Sequence, residues 1–568
     1  MRQQLLAVAV LAGLGGCVDD TADELEGVAE LDPGSLLGKE DSAGVPGLPV
    51  AGNYAETQAW TVANQWEDTT TAEARKAGIA WGADSGLNWD EKFSRWVASF
   101  EQIQSFDSWF KTISISTPFG KAVPGPKIDC ADLTLLLRLS FAAWYRLPIY
   151  FVGYDRGKVV YFGHFGIRTV DGRWSQAPAF GSAYRDYTNL TPAQYGESWP
   201  KDTALRTRGV ANNDGLPFLG DGARLGAFLD EIHLNKRAAR LIFFAQAYLG
   251  SHNMADSRNT YNLVPEAVKP GDVLVFRRSP SVEGHATIVT HVEHVTSINM
   301  KIEAVYGNIP VAQPKWQDPA QSRSLFTSNE GGGPVLNTPY GGTSLYSALN
   351  GGLKRVRVAK ARNGKWINTW MNADEASWIN DTDRERIGAR PAKFGELLGD
   401  PDPEVQRAQL VEVIEAKRMH LREHPASCAA RTAREEAFRQ LYELMQAQFG
   451  MDRAAVDAEY RTTIEDYVYA PLDYTKSRTC CWNSTTPAMH QIIMDYQTSA
   501  GGGCVDPTVF KLTANSYDPF ASYAASSDRA SQWLAWTEDE ACAARASTDD
   551  VLVPAEMTPW CSLPAAQP

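Results

Sequence analysis

The spacing of apolar positions changes several times along the chain. From about Asn53 aromatic residues recur at mostly helical intervals: Trp60, Trp66, Trp81, Trp89, Trp96, Phe100, Phe106, Trp109 and Phe110. Such a series reads as the inner face of packed segments rather than as a ligand platform. Ala131 to Arg146 (ADLTLLLRLSFAAWYR) is apolar nearly all round and predicts a buried helix, entered through the turn Val123-Pro124-Gly125-Pro126. Ile149 to Val152 and Val159 to Phe162 predict strands either side of Asp155-Arg156-Gly157. Residues 222–250 predict one or two helices ending at Gly250. After Pro270 the apolar runs become short. Val273–Phe276, Ala286–Val292 and Met300–Tyr306 predict consecutive strands of an antiparallel sheet.

Helices first and a sheet later is an α+β layout. Residues 311–365 are rich in Gly, Ser, Pro and Asn and read as mostly loop, ending in the strand-like run Leu353–Val358. Beyond Arg390-Pro391 the pattern becomes charged amphipathic helix over 404–423, 432–449 and 453–467, which sets a domain boundary near 390. Composition bears on partners. The chain has 568 residues and a net charge of −14. An acidic protein has no electrostatic attraction to a polyanion, so no nucleic-acid partner is expected.

The first residues and the cysteines suggest where the protein resides. Arg2 is followed by the apolar run Leu5–Leu14 and then by Gly15-Gly16-Cys17, the form of a secretory signal. The Leu-Gly-Gly-Cys ending resembles the lipobox of bacterial lipoproteins. That resemblance implies cleavage after residue 16, a lipid anchor on Cys17 and a place in the cell envelope. Residues 17–52 are acidic, bear Gly and Pro, and read as a flexible tether. Of eight cysteines, Cys17 and Cys130 stand apart. Cys428, Cys480, Cys481, Cys504, Cys542 and Cys561 all fall in 391–568, an even cluster that reads as disulfide candidates in an exported, mainly α-helical C-terminal domain. Their connectivity stays open.

Cys130 carries the candidate chemistry. Asp129-Cys130-Ala131-Asp132 lies where a Pro/Gly loop enters an apolar helix. The first turn of a helix is electropositive, which favours a thiolate nucleophile, and a partly exposed thiol is expected there. Pro270-Gly271-Asp272 leads into one strand, and Gly284-His285 opens the next, 13 residues after Asp272. Together with Asp-Cys at a helix start, these motifs resemble the NlpC-type cell-wall peptidases and the related CHAP amidases, which are papain-like cysteine hydrolases. The resemblance covers about 125–152 and 265–310. It implies a papain-like body over 53–390, with a large insertion at about 153–265, that hydrolyses amide bonds of peptide or peptidoglycan.

On that resemblance Cys130 is the nucleophile, His285 the base and Asn308 the residue that orients the imidazole. The Cys130 amide would donate to the oxyanion, with Asp129 as its neighbour. The expected geometry is a Cys130 sulfur within about 4 Å of the His285 ring. CHAP members carry an acidic residue where this chain has Tyr306. His164, in Gly163-His164-Phe165-Gly166-Ile167, is a competing base. His291 and His294 lie on or beyond the His285 strand; His291, six residues on, is placed to share the His285 face, but two exposed strand-end histidines are the expected reading. No HExxH or CxxC spacing accompanies them, and no metal or cofactor is expected. Two other readings stay open: a non-catalytic envelope-binding lipoprotein that retains the fold, and a transglutaminase-like acyltransferase on the same three residues.

Overall fold

The computed structural model describes residues 44–171, 201–276, 284–295, 299–307, 311–328, 351–399, 402–423, 428–452 and 518–532, apart from positions 107, 109, 212 and 382, together with scattered positions in 174–199 and 455–499. Two compact units separate at residue 400.

In the first unit, β1 (Val45–Pro49) is followed by irregular chain as far as α1 (Trp89–Ala98). Asn88 caps α1 in a reciprocal box with Glu91. The tryptophans of this stretch are core, as the spacing predicts: Trp60, Trp66, Trp81, Trp89 and Trp96 are buried, while Phe106 is 58% exposed. Several also tie distant backbone together, Trp60 Nε1 donating to the Leu147 carbonyl at 2.9 Å and Trp96 Nε1 to that of Ser116 at 2.8 Å. β2 (Glu101–Gln104), β3 (Lys111–Ser116) and β4 (Ala122–Pro124) form a small antiparallel sheet that delivers the chain to α2 (Cys130–Trp144). Every residue of α2 from Cys130 to Ala143 is buried, the consequence of its all-round apolar sequence.

β5 (Tyr150–Asp155), β6 (Lys158–Gly163) and β7 (Gly166–Thr169) make a three-stranded meander. The helices expected in 222–250 are α3 (Leu225–Glu231) and α4 (Lys236–Tyr248). Between them His233 takes a left-handed backbone, φ 51°. Then come β8 (Thr260–Leu263), β9 (Val273–Phe276), β10 (His285–His294), β11 (Met300–Tyr306), β12 (Lys315–Gln317), α5 (Pro319–Thr327), β13 (Gly352–Val356), β14 (Val358–Arg362), β15 (Lys365–Thr369), β16 (Trp378–Ile379) and α6 (Arg384–Leu398). The main sheet is antiparallel, in order β12-β11-β10-β9-β13-β8-β16, and α2 packs on β10. The mixture of helix and antiparallel sheet is the α+β class.

Three boundaries differ from the sequence expectation. The tether is expected to reach residue 52, yet Val45-Pro46-Gly47-Leu48-Pro49 is an edge strand on β15, and an edge tolerates proline. The insertion is expected to reach about 265, yet β8 belongs to the main sheet, so the inserted segment ends before Thr260. The body is expected to end near 390, yet α6 runs through Pro391. Proline removes the amide that would bond to the Ile387 carbonyl, and Arg390 Nε donates to that carbonyl instead, at 3.3 Å. The same guanidinium reaches the carbonyls of Leu353 and Gly351, pinning the helix to the sheet. The expectation of loop over 311–365 also missed β12 and α5, whose Asp318 cap and N1 proline are a helix start.

Buried charges fasten the helical layer to the sheet. Arg138 of α2 pairs with Asp90 of α1 at 3.3 Å and lies 3.7 Å from the centre of the Trp66 ring. Lys269 reaches the other Asp90 oxygen at 2.6 Å. Burial would raise the Asp90 carboxyl, but Lys269, Arg138 and Arg355 outweigh it and hold it well below the ordinary carboxylate range. Three residues after Lys269, Asp272 takes a two-pronged bond from Arg355, whose third nitrogen pairs with Asp374 at 2.5 Å. In the second unit α7 (Pro403–Glu423) and α8 (Cys428–Phe449) share a core of Leu410, Ile414, Ala437, Leu441 and Met445. Cys428 is the first residue of α8. Cys17, Cys480, Cys481, Cys504, Cys542 and Cys561 lie outside the described residues.

Candidate active site

Cys130 is the first residue of α2. Asp129 precedes it with extended backbone, and its carboxylate accepts the Asp132 amide at 2.9 Å. Asp129 is therefore the N-cap of α2. The amide of Cys130 is one of the donors that a helix start leaves unused by the helix itself. The thiol is 2% exposed, so the partly exposed cysteine anticipated from sequence is instead a buried one.

The end of β11 closes on this helix start. A Cβ on Gly307 would meet the Asp129 carbonyl oxygen at 2.2 Å, so only glycine permits the approach. One residue earlier, the Tyr306 ring stands edge-on to His285, with centroids 4.9 Å apart. A backbone bond from Ile128 to the Ala312 carbonyl, 3.0 Å, joins the incoming loop to the chain beyond β11. Gln313, buried beside it, holds that loop in place. Its amide donates to the Gly125 carbonyl at 2.7 Å, and its oxygen accepts from Ser105 and from the Phe106 amide. Nothing in the sequence marked Gln313, since its partners lie near 105 and 125.

His285 opens β10 opposite Phe276 and is 6% exposed. Strand alternation sets His285 with Thr287 on one face of β10, and Ala286 with Ile288 on the other. Ala286 and Ile288 enter the core that holds Cys130. The contiguous series is thus His285, Tyr306, Gly307, Asp129, Cys130. Asn308 follows Gly307 in the chain and lies outside the described residues.

His291 does not share the His285 face. A bulge between Val289 and His291 inverts the alternation, and the His291 ring lies 5.3 Å from Trp316, whose strand partner is Val305. Glu303 Oε2 is 3.6 Å from its Nδ1. His294 ends the strand, exposed. Among the described residues no group of three or more His, Cys, Asp or Glu side chains is placed to hold a metal ion.

His164 sits elsewhere. It follows β6, with its Nδ1 3.1 Å from the Ile149 amide and its ring edge-on to Trp366. Ile149 lies just past the C-terminal end of α2, whose 15 residues span about 22 Å from the Cys130 end. Burial pushes its imidazole down to about 4, the Ile149 backbone bond opposing. A neutral, packed histidine at the wrong end of the helix does not serve Cys130.

The Asp272 of the Pro-Gly-Asp turn is structural. It is 1% exposed, accepts the Lys269 amide at 2.8 Å, and carries Arg355. Gly271 before it has φ 93° and packs on Phe93. No helix among the described residues is long and apolar enough to cross a membrane. No protein-family model, curated protein or solved structure matches the chain.

Proposed function

We propose that the chain is an exported bacterial envelope protein, lipid-anchored at Cys17, whose papain-like body is a cysteine hydrolase of amide bonds in peptidoglycan peptides. The observation that carries the reading is the closure of Tyr306-Gly307 between His285 and the helix start at Cys130. On this reading His285 takes the Cys130 proton, and the thiolate adds to the substrate carbonyl carbon. The Cys130 amide donates to the resulting oxyanion. His285 then gives the proton to the leaving amine, and water hydrolyses the thioester. Asn308 holds the ring. The cysteines of 391–568 form three disulfides in the C-terminal domain.

Two observations favour the second reading, an envelope-binding lipoprotein in which Cys130 is a core residue: its 2% exposure, and the strand alternation of His285. One experiment separates them. The full chain is treated with iodoacetamide below pH 7 and digested for mass spectrometry, and cleavage of cross-linked stem peptides is assayed alongside. The hydrolase reading requires rapid labelling of Cys130, and cleavage that Cys130→Ala and His285→Ala both abolish. Labelling only after denaturation, with no cleavage by the wild type, overturns it. The anchor is tested separately: Cys17→Ser should move the protein from the membrane fraction to the soluble one, and retention would refute lipidation.

A further inference from the structure

Lys92, Lys236 and Lys354 are the buried lysines among the described residues. Lys92 donates to the carbonyls of Ala74 and Leu87, and Lys236 pairs with Asp230. Lys354 of β13 has a different partner. It lies directly opposite Asn262 of β8 in the antiparallel register, so the two side chains share a face of the sheet. Lys354 Nζ donates to Asn262 Oδ1 at 3.2 Å, and the two residues are 1% and 2% exposed. The neighbouring strand adds an acid. Asn262 is also opposite Ile379 of β16, and Asp381, two residues on, accepts the Asn262 side-chain amide at 2.6 Å.

An amine, a carboxamide and an acid held in this order are arranged for amide exchange. Oδ1 is one carbonyl bond, about 1.2 Å, from the amide carbon, which puts Nζ within about 4.4 Å of that carbon. Arg390 Nη1 donates to the same Oδ1 at 3.1 Å, where negative charge would develop as the amine adds. The nitrogen that must leave is the one already bonded to Asp381, whose other oxygen is buried with no hydrogen-bond partner. Burial pushes the Lys354 amine down to about 8, against the field of Asp381 and with that of Arg390 and Arg357. Burial likewise raises the Asp381 carboxyl, with Lys354 and Arg357 opposing. Asp256, which also acts on both, is paired with Arg258. The two directions favour an uncharged amine beside a protonated acid, the forms needed for attack and for proton delivery.

We infer that Lys354 and Asn262 become joined by an intramolecular isopeptide bond, which the folded chain forms by itself with Asp381 as proton carrier. The Lys354 nitrogen adds to the Asn262 amide carbon. Asp381 gives its proton to Nδ2 and takes one from the attacking nitrogen, the bond from carbon to Nδ2 breaks, and ammonia leaves. Asp381 ends as it began, and atoms balance with ammonia as the only other product. The reaction replaces a buried titratable amine with a neutral secondary amide, which is cheaper to keep in the core. The link ties β13 to β8 across 92 positions of the chain and so restricts the unfolded state, as a disulfide of that span would. It uses neither Cys130 nor His285, so it stands or falls apart from the hydrolase reading.

The test is peptide mapping of the full chain. The purified protein is denatured, reduced, alkylated and digested with trypsin, and the peptides are sequenced by mass spectrometry. The wild type should yield a branched peptide whose arms contain Asn262 and Lys354, uncut at Lys354 and lighter than the two arms together by one ammonia. Linear peptides alone, with Asn262 unmodified and cleavage after Lys354, overturn the proposal. So does an ammonia loss confined to a linear peptide, which is a succinimide at an asparagine. Asp381→Asn keeps the shape of the acid and withholds its proton, so that variant should give the linear peptides while its far-ultraviolet circular dichroism matches the wild type. A branched peptide at wild-type yield from Asp381→Asn would refute the role given to Asp381. The wild-type digest decides the bond whether or not the variant folds.

Discussion

Asp272→Asn is the substitution whose outcome the structure fixes most firmly. The carboxylate and its partner Arg355 are 1% and 4% exposed. Arg355 Nε and Nη2 reach the two Asp272 oxygens at 2.6 and 2.8 Å, and Asp272 also accepts the Lys269 amide. Asparagine keeps the shape and one acceptor but removes the charge. Arg355 is then left in the core with Asp374 alone, which already serves the Tyr261 hydroxyl at 2.6 Å. Removing one partner of a buried ion pair costs about 3–5 kcal/mol, and the retained acceptor favours the lower end. For a unit of this size that is roughly 5–10 °C in melting temperature. Equilibrium urea unfolding, followed through the buried tryptophans, measures it directly. The slope with urea should be unchanged, because the exposed surface is the same. Arg355→Met supplies the other corner of a double-mutant cycle, and the double variant should recover at least about 2 kcal/mol of the summed single losses. A loss under 0.5 kcal/mol for Asp272→Asn, or strict additivity, would refute the reasoning.

Other outcomes follow from single contacts. The folded His164 titrates near 4 against 6.5 for the ordinary side chain, so between those values the unfolded chain binds more protons. Stability present above pH 6.5 should therefore fall by about 3 kcal/mol as pH drops to 4. His164→Gln should flatten that part of the profile, and an unchanged profile would show another group responsible. Gly307→Ala forces a methyl onto the Asp129 carbonyl and should cost about 1–3 kcal/mol, with Cys130 labelling altered in the same variant. A neutral effect would mean that β11 and the start of α2 are not in contact. Cys130→Ala should cost about 1 kcal/mol for the small void left by a 2% exposed sulfur, measured by urea unfolding, and a change near zero would mean the thiol reaches solvent.

Sequence patterns located the elements rich in apolar residues. The apolar run 131–146 became α2, and 273–276 and 300–306 became β9 and β11 at almost their observed limits. Strands poorer in apolar residues were missed. Glu101-Gln102-Ile103-Gln104 and Lys111–Ser116 carry too few apolar residues to stand out, and their pairing is visible only once they meet. Pro391 and the prolines of β1 read as breaks because the compensations, the Arg390 side chain and an edge position, lie outside the local pattern. At the site, the helix start of Cys130 was legible because capping is local. The face of His291 was not, because a bulge is decided by the partner strand. The polar group of Asn262, Lys354 and Asp381 joins three separate strands or their ends, and no periodicity connects them.

The strand order has a consequence for how the molecule is made. β13 is an interior strand of the main sheet, lying between β9 and β8, yet it comes after both of them and after β10, β11 and β12 in the chain. A ribosome or a transport channel that releases the protein from its N-terminus delivers β8 to β12 first. Until residues 352–356 emerge, β8 and β9 each present an unpaired backbone edge toward the place that β13 will fill. The early portion of the sheet is two separate pieces at that stage, and only the arrival of a five-residue strand joins them. Assembly of the sheet therefore waits on these residues, and an interrupted chain ending before Gly352 leaves the facing edges of β8 and β9 open, the feature most apt to recruit another copy of itself.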